Sequence, residues 1–336
     1  MKLTLRCLLA AAGLVLFGWF VYRAGVGEIA RAFTNLGWWL PVALLPFLAV
    51  TLLDTVGWRF AFGREGTHGI GFPRLVQIRW AGESINAVLP SAYIGGEAVK
   101  VHLLRKRGVP PLNGAASVVA GKTAQVLAQV TFIALGALAG MANLPSDSPA
   151  RTGMLAVTGL ALAIVATLLW LQRRGIFTTL LGLTKKLGLR IRAFADRSEK
   201  LRRLDDRIFD FYRKEPGRFG LSCAAYFCGW MTDALEILLV SHLLGMPLEW
   251  SEAIAIEAFI SVAKALGIFV PGALGVQESG FVFLFLLFAL PTTLGVSYAI
   301  FRRGREVIFA GVGAAMLYAE GLISGGKLTT KVEAPA

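Results

Sequence analysis

Two stretches decide the fold: Pro90-Ser-Ala-Tyr-Ile-Gly-Gly-Glu97 and Pro271-Gly-Ala-Leu-Gly-Val-Gln-Glu278. Both read Pro-x-Ala-x-x-x-x-Glu, and they stand 181 residues apart. Each interrupts an apolar segment, 74–104 and 253–290. Proline removes a helix donor and glycine loosens the backbone, so each segment is expected to be two helical halves joined by a turn. The offset then continues without a gap. Pro110 meets Pro291, Gly114 meets Gly295, Lys122 meets Arg303 and Gln125 meets Glu306. The apolar runs before the hairpins, 37–61 and 217–246, stand at about the same offset.

Working outward, full crossings are expected near 5–23, 37–61, 112–142, 151–172, 217–246 and 293–325, each near the ~20 residues that span a bilayer core. The composition agrees. Of 336 residues, 56% are hydrophobic and only 16% charged, where a soluble domain carries about a quarter. The fold class is all-α: a polytopic membrane protein of about six full crossings and two broken, re-entrant helical hairpins. Repeat 1 is placed at about 37–142 and repeat 2 at about 217–325, within one transmembrane domain over 1–326 and ahead of a short tail, 327–336. The extra crossing between the units turns the second over, which makes an inverted repeat of the kind that recurs in transporters.

The net charge of +13 does not point to nucleic acid, because of where it sits. Fourteen of the 34 Lys and Arg lie between Arg173 and Arg218, beside six acids, and Arg105, Lys106 and Arg107 form another group. Such blocks between apolar runs fit cytoplasmic loops and attract anionic lipid. Within the loop 173–216, Leu201, Leu204, Ile208 and Phe211 recur at helical spacing. That suits an amphipathic helix, lying either on the membrane surface or on the protein's own cytoplasmic face. Inversion raises one conflict, since it carries Arg302, Arg303 and Arg305 toward the outside or into the membrane. The conflict is removed if these arginines face a polar cavity or if the repeat is not strictly inverted. At the N-terminus, Lys2 and Arg6 precede Leu8–Val21 and Arg23 follows directly, which favours an uncleaved first helix over a signal peptide. Cys7, Cys223 and Cys228 form no disulfide framework or metal motif and read as small buried residues.

Charged groups in apolar segments are the informative ones, because they cost several kcal/mol in hydrocarbon unless paired or hydrated. They are Asp54, Glu83, Glu97, Lys100, Lys122, Asp233, Glu236, Glu257, Lys264 and Glu278, seven acids against three bases. That excess permits coupling to protons or cations. Glu83, Asn86 and Pro90 share a helix face, as do Lys122, Gln125 and Gln129, and Glu257, Ser261 and Lys264. One polar stripe per helix suits a shared interior cavity; the alternative is buried ion pairs that fix packing. Gly95, Gly96, Gly272 and Gly275 open the second half-helices. There they would let a phosphate headgroup approach backbone N–H groups, with Glu97 repelling it unless paired to Lys100 or Lys122. Equally, they would serve only for turns and close packing. His68, His102 and His242 make no metal-ligand spacing, and no P-loop, G-x-S-x-G or C-x-x-C occurs. No catalytic residue, cofactor or metal is expected.

The stretches Glu83-Ser-Ile-Asn-Ala-Val-Leu-Pro90, Ile94-Gly-Gly-Glu97-Ala-Val-Lys100, Phe269-Val-Pro271-Gly-Ala-Leu-Gly275-Val-Gln277-Glu278 and Arg302-Arg-Gly-Arg-Glu306 resemble the transmembrane part of the lysylphosphatidylglycerol synthase family, also described as flippase-like. The resemblance covers roughly residues 5–325. Trp80, Glu83 to Asn86, Arg107 to Pro110 and Gln125 to Gln129 look most like its hopanoid-biosynthesis branch. The resemblance implies movement of a lipid between leaflets of a bacterial inner membrane, centred on the Pro–Gly–Glu segments. Full synthases carry a soluble aminoacyl-transferase domain after the membrane part; the chain ends at Ala336, so lysine transfer is not expected. The reading is a non-enzymatic lipid translocase whose partners are membrane lipids with an anionic or phosphate-bearing headgroup. Glu97, Glu278, Lys100, Lys122, Lys264 and Arg303 would contact the headgroup or balance one another. Its rivals are a lipid-binding scaffold that moves nothing, and a membrane enzyme using Glu97 and Glu278 as an acid–base pair.

Overall fold

The computed structural model describes residues 26–88, 94–175, 198–267 and 273–321, together with Tyr22, Thr179, Val270 and the pairs 323–324 and 327–328. The first expected crossing, and Pro90, Pro271 and Gly272 at the two breaks, lie outside the described residues. Apart from a two-residue antiparallel pairing of Ile323–Ser324 with Lys327–Leu328, the described elements are helices.

The helices are α1 (Val26–Leu36), α2 (Leu40–Ala61), α3 (Phe72–Val88), α4 (Ile94–Lys106), α5 (Pro111–Ala142), α6 (Pro149–Arg174), α7 (Ser198–Lys214), α8 (Pro216–Leu243), α9 (Trp250–Leu266), α10 (Val276–Leu287) and α11 (Thr292–Ala319). Among the described residues, four stretches are long and apolar enough to cross a bilayer: Gly37–Ala61, Pro111–Ala142, Pro149–Leu171 and Pro216–Leu243. α11 has the length, at 28 residues, but carries Arg302, Arg303, Arg305 and Glu306 in its middle. The helices α4 and α10 have 13 and 12 residues, so each reaches only about 20 Å at ~1.5 Å per residue. Both fall short of a ~30 Å core, as halves of broken segments should.

Local backbone repeats at the offset of the sequence motif. Pro110 and Pro291 precede α5 and α11 with φ/ψ of −54/131° and −59/128°. The turn before each is closed alike: Val109 N–H donates to Leu104 O, and Leu290 N–H to Phe285 O. Gly108 and Ala289 hold the positive φ of those turns, at 84° and 56°. Gly114 then packs on Leu104 where Gly295 packs on Phe285.

Direction can be read from ion pairs at the helix ends. Glu320, just past α11, meets Arg107 and, at 3.5 Å, Lys106. α11 therefore ends beside the start of α5, and the two equivalent helices run in opposite directions. Gly63 after α2 lies against Glu215 before α8, so that pair is opposed too. One face gathers these ends with the basic loops, and the other carries exposed Trp38, Trp39 and Trp250, which suits an interfacial aromatic belt.

Packing follows the repeat. α2 crosses α8 at the centre, where a Cβ on Gly57 would lie 2.9 Å from the Tyr226 ring and Ser222 Oγ–H donates to Gly57 O at 2.7 Å. α9 lies on α5, and its counterpart α3 lies on α11, where Trp80 Nε1–H donates to Phe309 O at 2.9 Å. α7 rests on the basic-face ends of α5 and α8, with Ile208 buried and Phe211 and Tyr212 packed on Phe219. Its apolar side thus faces the protein.

Candidate functional site

The predicted site residues gather into two groups, one per hairpin. In the first, α3 and α4 cross so closely that a Cβ on Gly96 would fall 2.2 Å from Gly82 O. That approach lets Asn86 Oδ1 accept the Gly96 N–H at 2.8 Å, while Asn86 Nδ2 donates to Glu83 at 3.3 Å. Lys100 Nζ donates to Glu83 at 2.6 Å and to Glu97 at 3.0 Å, which closes a ring across the hairpin. From α5, Lys122 Nζ donates to Gln125 Oε1 at 3.0 Å. Alongside, Arg79 pairs with Asp54 of α2 at 2.5 Å. Beside the ring lies a gap of about 10 Å³, lined by Trp58, Arg79, Glu97, Lys100, Val118, Lys122, Gln125 and Tyr226. That is room for about one water.

In the second group, Glu278 Oε2 accepts the Gly275 N–H at 2.8 Å and Oε1 accepts Arg303 Nε–H at 2.6 Å. Arg303 also meets Glu306 at 2.9 Å, and Lys264 reaches Glu306 at 3.1 Å. Gln277, the repeat counterpart of Gly96, is fully buried with neither amide atom hydrogen-bonded.

The two groups are matched by position, with charge changes that compensate. The offset sets Glu83 against Lys264, Glu97 against Glu278, Lys100 against Phe281, Lys122 against Arg303, and Gln125 against Glu306. The sign changes at Glu83/Lys264, and the losses and gains at Lys100/Phe281 and Gln125/Glu306 compensate. Each group sums to zero, as the cost of burying net charge in a membrane requires.

Several expectations change. The Gly96 and Gly275 N–H groups are occupied by Asn86 and Glu278, so a headgroup in this conformation would be met by side chains. The small volume beside the first group contains no residue of the second in its lining. Arg302 and Arg305 are buried among carboxylates. They are 3% and 2% exposed and pair with Glu257 and Glu236. Arg79, Arg302, Arg303, Arg305 and Glu306 belong among the charges inside the apolar core, so the count of seven acids to three bases falls to an excess of one acid. A membrane-buried excess of four negative charges is itself implausible, and that was the signal in the sequence for the missing cations.

These features define a multi-pass, all-helical membrane protein built around buried ion clusters. Residues 4–313 match the family described as the lysylphosphatidylglycerol synthase TM region, and the chain belongs to that family. Its role is accordingly related to membrane lipids. No curated protein matches the chain. No solved structure matches it either.

Proposed function

We propose that the protein is a lipid translocase of the bacterial inner membrane, passing a phospholipid, hopanoid-type or polyprenyl-linked headgroup between the two hairpins. The observation that carries this reading is the pair of position-matched, charge-neutral clusters on hairpins whose neighbouring helices run in opposite directions. Inverted units around a polar centre can exchange conformations and so open the centre to either side. Neutral clusters that each keep two cations suit a headgroup that carries phosphate and is handed from one set of cations to another. Lys100 and Lys122 serve in the first cluster, Lys264 and Arg303 in the second, with Lys100, Lys264 and Arg303 held by carboxylates and Lys122 by Gln125 until a headgroup competes.

The small free volume beside the first cluster, about 10 Å³ among the described residues, supports one rival, a protein that holds lipid without moving it. Glu97 and Glu278 share no partner, so an acid–base pair gains no support. Reconstitution into liposomes with labelled lipids separates the two surviving readings. Headgroup exposure to an impermeant quencher should grow with time for at least one lipid. Co-purifying lipid with no transfer for any headgroup tried would move the assignment to the holding role.

A further inference from the structure

One buried cluster has unbalanced charge. Asp233 and Glu236 of α8 and Glu257 of α9 face Arg302 and Arg305 of α11, three carboxyls against two guanidiniums. Arg302 grips Glu257 through both oxygens, at 2.6 and 2.8 Å. Arg305 Nη1 donates to Glu236, and Tyr298 O–H donates to the other Glu236 oxygen at 2.9 Å. Both glutamates are thus fully engaged. Asp233 is held more loosely: Arg302 and Arg305 stand at ion-pair distances of 3.9 and 3.7 Å, and among the described residues its buried Oδ1 accepts no hydrogen bond. The other surroundings do not balance it. On α2, Asp54 lies against Gly229, one turn from Asp233, but is paired with Arg79, and the same helix sets the Phe47 ring over Arg305. α5 contributes the apolar Phe132, stacked on Trp230. The neighbouring group of Lys264, Glu278, Arg303 and Glu306 is neutral by itself.

We propose that this cluster is a proton-binding site, with one hydrogen ion carried on Asp233. An ionised carboxylate buried in a helical core without a hydrogen bond to either guanidinium is costly, and a proton removes that cost. The site deepens the translocase reading by naming its coupling ion: re-packing of α8 against α11 would bring Asp233 to its guanidiniums and release the proton. The coupling role rests on that reading, but the bound proton does not.

Infrared spectra of the purified protein in lipid nanodiscs at neutral pH test the proton without any transport. Wild type should show the carbonyl stretch of a protonated carboxyl in apolar surroundings, and Asp233→Asn should lose it. No such band in wild type, or a band that Asp233→Asn leaves unchanged, would overturn the proposal. Should the variant fail to fold, carbon-13 labelling of the aspartate carboxyls in wild type reports the same state: a protonated signal supports the assignment, and its absence overturns it. A chain that moves no lipid yet shows the band would sink the translocase reading and leave the site standing.

Discussion

Arg302 illustrates what a single residue does in this protein. Its guanidinium is the counter-charge of fully buried Glu257. Arg302→Met should lower stability by about 3–5 kcal/mol, because removing one partner strands the other. Adding Glu257→Gln should recover part of the loss. Thermal unfolding in detergent measures both, and equal stability of Arg302→Met and wild type would contradict the pairing. Gly96→Ala is predicted to be worse tolerated than an ordinary helical Gly→Ala change, which stabilises by up to ~1 kcal/mol. Its methyl would fall 2.2 Å from Gly82 O and 2.4 Å from Asn86 Oδ1, forcing α3 and α4 apart. Greater proteolysis of the variant at 80–100 is the readout. At this scale the sequence was half legible. Glu83, Glu97, Lys100 and Lys122 stood out as charges in apolar runs, with Lys100 or Lys122 as alternative partners for Glu97. Arg79 and Trp58 were not found, because one sits near a loop and the other looks like any lipid-facing aromatic. Only the tertiary crossing of α2, α3 and α5 makes them neighbours.

Among elements, the turns before α5 and α11 offer a matched experiment. Gly108 has positive φ with open space around its missing Cβ, so Gly108→Ala should cost about 1–2 kcal/mol from the backbone alone. Ala289 already bears that strain, and Ala289→Gly should be neutral or stabilising. Unfolding midpoints that move the other way would break the equivalence of the two turns. The helix α7 makes a second case. Arg207 hydrogen-bonds the Glu65 carboxylate and holds it below its ordinary value of 4.5, although burial opposes this. A lowered folded value means that the contact contributes fully above pH 4.5 and is lost as pH falls further. Glu65 is half-exposed, so the contribution is below about 1 kcal/mol. Protection of α7 amides against hydrogen exchange, taken relative to the intrinsic rate at each pH, should therefore fall modestly below that pH, and Glu65→Gln should remove this loss. Element positions were largely readable, because Pro and Gly mark the breaks at 74–104 and 253–290. The docking side of α7 was not, since one amphipathic pattern serves a membrane or a protein equally well.

For the whole molecule, the repeat was legible from residues as sparse as Pro110/Pro291 and Lys122/Arg303, since a proline before a helix and a cation in an apolar run stand out at a fixed offset. The compensating charge changes between the two clusters were not, because neutrality belongs to the assembled group and no single position reveals it. The central claim is that both clusters serve one passage for lipid. The most direct test is leaflet transfer in liposomes by wild type, Glu97→Gln and Glu278→Gln, with folding of each variant verified. The account predicts transfer by wild type and a fall of about tenfold or more in both variants, the cost of about 1.4 kcal/mol at the barrier. Transfer by wild type that both variants match would contradict it.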